Sequence, residues 1–168
     1  MEQRLADLIE ALESDDGPKR KRARETLTLL GEAAVQQLRG QLSSAIKRIR
    51  WEAAKTLAAM VDPASVQAFV DLLTDPYSEV RWLAASGLIN LGPRSVAPVL
   101  DSLVRDPESL GHRQMARRVL RELSSDNDVL AGIIGPVVEV LGHADSAVIA
   151  SNAAGALNEL EQITRGRY

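Results

Sequence analysis

With 168 residues, 45% of them hydrophobic and only 3% aromatic, the chain is long enough to bury a core but must build it from Leu, Val, Ile and Ala, which suits closely packed helices. It contains no Cys, which removes disulfides, thiolate metal sites and a Cys nucleophile. The net charge is −3, residues 1–13 lack an apolar signal core, and uncharged runs such as Val129 to Val138, broken by two Gly and a Pro, fall short of the roughly 20 apolar residues a membrane span needs. A soluble, cytoplasmic protein is therefore expected.

Apolar residues recur three and four positions apart throughout, the spacing of helices rather than strands. A first helix carries Leu5, Leu8 and Leu12; Gly17-Pro18 breaks it, and a second helix carries Arg20-Lys21-Arg22-Ala23 with Leu27 and Leu30. The alternation continues with Val35/Leu38/Leu42, then Ile49-Arg50-Trp51-Glu52-Ala53-Ala54-Lys55-Thr56-Leu57, then Val66/Phe69/Leu73, then Val80-Arg81-Trp82-Leu83-Ala84-Ala85-Ser86-Gly87-Leu88. Val96/Val99/Leu103, His112-Arg113-Gln114-Met115-Ala116 with Leu120, Ile134/Val137/Leu141 and Ile149/Ala153/Leu157 complete five pairs. Asp62-Pro63 and Gly92-Pro93 open first helices, while Asp75-Pro76 and Asp106-Pro107 mark turns within pairs. The aligned second helices lie 30, 31, 32 and 37 residues apart, a period that signifies stacked repeats. One solenoid domain over 1–168 is expected, with repeats at 1–31, 32–62, 63–92, 93–124 and 125–168.

The string Asp75-Pro76-Tyr77-Ser78-Glu79-Val80-Arg81, followed by Ala84, Ala85, Leu88, Leu91 and Gly92, resembles the HEAT repeat, particularly the short bacterial form related to phycobilin-lyase repeats. The resemblance implies an all-α fold, a right-handed α-α superhelix of about five two-helix repeats. It specifies architecture far better than function. In HEAT repeats the Arg of the second helix typically pairs with the Asp of the intra-repeat turn, which implies Asp75 for Arg81 and a stabilising role for Arg20, Arg50, Arg81 and Arg113.

The five second helices together hold fourteen Lys/Arg and five Glu, so they carry +9 and the remainder of the chain −12. At about 100° per residue, Trp51 and Trp82 lie opposite the apolar stripe of their helices. The outward register reads Lys21 and Arg24, then Trp51 and Lys55, then Trp82 and Ile89, then Arg117, Arg118 and Arg121. Such a basic and aromatic strip complements an acidic or phosphorylated protein segment, and these nine residues are the expected binding site.

No cofactor, metal site or catalytic set is expected. His112 and His143 are the only histidines and neither is followed by Glu, so the paired signature of HEAT-type di-iron hydroxylases is absent. One turn after the Trp pair stand Lys55 and Ser86, not the carboxylate of HEAT-like alkylpurine glycosylases. The leading expectation is a non-enzymatic protein-interaction scaffold with an acidic protein partner. Nucleic-acid binding through the same surface is the alternative, disfavoured by the acidic net charge and a basic row interrupted in the third and fifth repeats. The resemblance alone implies a third, an accessory subunit in bilin attachment or phycobilisome turnover. Ile149, Ala150, Ala153, Ala154, Ala156 and Leu157 are expected to leave an apolar face on the last repeat, open to self-association.

Overall fold

The computed structural model describes residues 2–166, which form ten α-helices and three short 3-10 segments, with no strand among the described residues. The helices are α1 (Glu2–Ala11), α2 (Gly17–Leu30), α3 (Glu32–Gln41), α4 (Lys47–Met60), α5 (Val66–Asp71), α6 (Ser78–Leu91), α7 (Val96–Arg105), α8 (Leu110–Ser124), α9 (Asp128–Val140) and α10 (Ser146–Arg165). They pair as expected into first and second helices of five repeats. The chain divides into two compact units between Leu91 and Gly92.

In the first unit each repeat packs its own two helices together, and the second helices α2, α4 and α6 stack on one another. The leucine of each second helix that faces inward, Leu27, Leu57 and Leu88, is fully buried. Small residues are buried on both helices of the α4–α6 seam, Ala53, Ala54, Ala84 and Ala85. Asn90 adds a hydrogen bond of 3.1 Å from Nδ2 to the Ala58 carbonyl across the same seam.

The ends of the second helices need backbone that turns sharply. Gly31 and Gly92 take positive φ of 58° and 77°, while the matching position of the second repeat is Val61 at φ 52°. A β-branched residue is strained in the left-handed region, and Val61 is largely exposed, so little packing offsets that strain. Val61→Asn is expected to raise stability by about 1 kcal/mol, because Asn tolerates this conformation at helix C-termini. A urea midpoint that rises at constant m would show it, and an unchanged or lower midpoint would mean the valine is not strained there.

The second unit is assembled differently. Helix α10 packs against α7 and α9, with its most extensive contact on α7 rather than on α8. Ile149, Ala153 and Ala156 are consequently buried, and Ala150, Ala154 and Leu157 are half-buried. The open apolar face expected on the last repeat is thus corrected: small residues let α10 settle onto α7, which covers that face. The outer face of α8 is left in solvent as a result.

Candidate functional site

The arginine register is the frame on which the surface hangs. Arg20, Arg50 and Arg81 each donate to two carbonyls of their own intra-repeat turn: Ser14 and Asp15, Ser44 and Ala45, and Asp75 and Pro76. The expected pairing of Arg81 with the Asp75 carboxylate is not found. That carboxylate is taken by Arg50 of the preceding repeat, with Nε to Oδ2 at 2.6 Å and Nη2 to Oδ1 at 3.2 Å. Geometry explains the exchange: with Nη1 on the carbonyls of its own turn, Arg50 presents Nε and Nη2 to the carboxylate of the next repeat. Its hydrogen bond to the Asp75 carboxylate holds the Arg50 guanidinium above its ordinary value, so it stays charged despite burial.

The first repeat follows the same logic with another acceptor. Glu52, only 1% exposed, receives Arg20 Nε at 2.6 Å and also binds Arg24. Glu52 is a structurally important residue that the sequence reading passed over. Its signal was present, since it occupies the register of Leu83 and Met115, where an acid must find cationic partners to be buried.

Around this frame the expected binding residues separate into groups. Lys21, Arg24 and Lys55 line a depression of about 620 Å³ between α2 and α4. Arg24 is half-buried because it sits in the register of Ala54 and Ala85, and its charge is matched by Glu52. Lys55 stands 4.6 Å above the Trp51 ring, a cation–π contact that leaves Trp51 half-buried. Trp51 itself borders a smaller depression of about 310 Å³ with Arg20, Lys47 and Glu79. There Lys47 bonds Glu79 at 2.8 Å, which lowers the Glu79 carboxyl below the usual carboxylate range, and lies 4.6 Å from the Tyr77 ring. Trp82 is 52% exposed and Ile89 half-buried, both outside these depressions.

In the second unit Arg117, Arg118 and Arg121 line a depression of about 510 Å³ with Gln114, Glu122 and Ser125. Arg117 occupies the register that is filled by buried Ala54 and Ala85 in the first unit, yet it is exposed, because α10 lies on α7. Its guanidinium rests against Gly142, where a Cβ would stand 3.4 Å from Nη1. Among the described residues no carboxylate pairs with Arg117 or Arg121.

His112 is buried rather than available as a ligand. Its Nδ1 donates to the Asp106 carbonyl at 3.0 Å, and its Nε2 lies 2.8 Å from Ser102 Oγ. Burial lowers the His112 value below that of a free imidazole. The folded protein then refuses a proton that the unfolded chain accepts, so stability from this site is complete above about pH 6.5 and declines as the pH falls below it. Urea titrations at several pH values should show that decline in the wild type and a shallower one in His112→Asn; parallel curves would remove His112 as its source. Among the described residues no group of three His, Cys, Asp or Glu could hold a metal ion, and no helix is long and apolar enough to cross a membrane.

Comparison with known proteins agrees with this architecture. A family model of HEAT repeats matches residues 5–89, half of the chain, and the protein belongs to the HEAT-repeat family. No curated protein sequence matches it significantly. Among solved structures it is similar to a chain in the complex of CpcE and CpcF of phycocyanin lyase from Nostoc sp. PCC7120, at 25% identity and a TM-score of 0.64, covering 93% of this chain and 99% of that one. An engineered protein matches at 23% identity and a TM-score of 0.46, covering 94% of this chain and 81% of that one.

Proposed function

We infer that this protein is a non-enzymatic interaction scaffold that binds an acidic or phosphorylated segment of a protein partner. The α8 depression carries the reading: three guanidinium groups share it with one carboxylate, and two of the three have no acidic partner among the described residues. Unmatched arginines in an open concavity supply charge complementarity and steer encounter. In the first unit, the exposed Trp82 and the Lys55-capped Trp51 offer aromatic surface of their own, of the kind that dominates interface energetics.

A fluorescein-labelled polyglutamate peptide provides the test, with association rates measured from low to physiological salt. Reversing Arg117, Arg118 and Arg121 to Glu is expected to slow association and flatten its salt dependence, while reversing Glu2, Glu10 and Glu13 to Lys should not slow it. A salt-independent rate in the wild type, or equal losses from both sets, would reduce the cluster to a solvated surface. Nucleic-acid binding is less favoured, because Arg20, Arg24 and Arg50 are already matched by Glu52 and Asp75. A duplex mobility shift at moderate salt would reverse that preference.

A second reading is supported by the likeness to the CpcE–CpcF complex across nearly the whole of both chains. On it, the protein is an accessory subunit in bilin attachment or phycobilisome turnover and works beside a second subunit. Bilin attachment to a phycocyanin subunit, assayed with and without this chain, separates it from the first reading.

A further inference from the structure

The depression between α2 and α4 has two unlike ends. Toward the C-terminal end of α2 it is apolar: Leu29 is 88% exposed, and Ala59 is exposed on the same lining. A single exposed leucine is ordinary on a soluble protein. This one lines a concavity of about 620 Å³ whose other end is cationic. Among the described residues Lys21 pairs with Glu25 alone, at 3.8 Å across an exposed helix surface, a pair that screens little of its charge. Lys55 faces the Trp51 ring and, among the described residues, no carboxylate. Arg24 adds no unmatched charge, since Glu52 holds it.

The lining also constrains the backbone of any occupant. Thr28 and Thr56 donate their hydroxyls to the carbonyls of Arg24 and Glu52 within their own helices, at 2.9 Å and 2.7 Å. Helix walls expose no ladder of free N–H and C=O groups, so an extended strand would leave its own groups unmatched along this groove. A helical segment satisfies its backbone internally. Lys21 and Leu29 are separated by about 12 Å along α2, at 1.5 Å per residue, which is roughly two helical turns.

We propose that the α2–α4 groove docks an acidic amphipathic helix of a partner protein, its carboxylates toward Lys21 and Lys55 and an aliphatic side chain two turns away on Leu29. The proposal rests on the acidic-partner reading and adds the shape and the apolar anchor of the ligand.

The probe is a labelled alanine-based helical peptide with Glu on two successive turns and Leu two turns further on, made in both sequence directions and titrated by anisotropy against the full chain. Saturable binding is expected. Leu29→Asp, Lys21→Glu with Lys55→Glu, and Leu→Ser in the peptide should each weaken it on the order of tenfold, the scale of a lost anchor. Circular dichroism and melting temperature should stay near those of the wild type, since all three protein positions are exposed. Binding indifferent to Leu29→Asp or to Leu→Ser in the peptide would overturn the proposal, as would equal affinity for polyglutamate or displacement by duplex DNA of matched charge. If polyglutamate binds through the α8 arginines and the helical peptide does not bind, the groove proposal fails and the scaffold reading stands. If the helical peptide binds as described while reversal of the α8 arginines changes nothing, the groove stands and the α8 argument falls.

Discussion

Asp75→Ala should cost about 3–5 kcal/mol, the penalty for leaving a buried guanidinium without its carboxylate. Asp75 and Arg50 are both buried, and their paired contact joins the third repeat to the second. Asp75 also accepts the Tyr77 backbone N–H at 2.9 Å, so its loss opens the start of α6 as well. Urea unfolding of Asp75→Ala, Arg50→Met and the double variant closes a cycle. The double variant should recover part of the loss, because no unmatched charge then remains. A strictly additive double variant would mean that the two side chains act independently and that the link between repeats lies elsewhere.

Leu88→Asp is expected to be at least as damaging, at several kcal/mol, because it places a carboxylate at a fully buried position. Against a total stability of about 5–15 kcal/mol for a domain of ordinary size, that loss is enough to populate the unfolded state. Leu29→Asp makes the same chemical change at a residue that is 88% exposed, and it should cost less than about 1 kcal/mol. Circular dichroism during thermal unfolding distinguishes them. Equal losses would show that the inward stripe of the second helices had been misassigned.

The stripe was legible because it repeats: Leu27, Leu57, Leu88 and Leu120 recur in one register, and all four are fully buried. A helix in a stack buries one face, and periodicity states which face that is. The arginine pairing was less legible. Sequence places Arg81 and Asp75 near each other along the chain, but it does not show that the Asp75 carbonyl takes Arg81 while the carboxylate turns to Arg50. The availability of Arg117 was hidden in the same way. Its register is buried in α4 and α6, and only the docking of α10 on α7 decides that it faces solvent. Arg24 shows the converse, since a residue read as outward-facing is held by a buried acid from the adjoining helix.

The forward reach of the arginines also gives the array a direction in time. Arg20 takes its acceptor from the second repeat, Arg50 from the third, and Arg113 donates to the Ala144 carbonyl and Ser146 hydroxyl of the fifth. During synthesis, each of these three repeats leaves the ribosome carrying a donor whose acceptor has not yet been translated. A nascent chain halted after α4 would therefore hold Arg50 with its turn carbonyls but without Asp75, and the arrival of residues 72–78 would lock the preceding repeat from ahead. For the first, second and fourth repeats the order of translation thus becomes the order of consolidation, each finished by its successor.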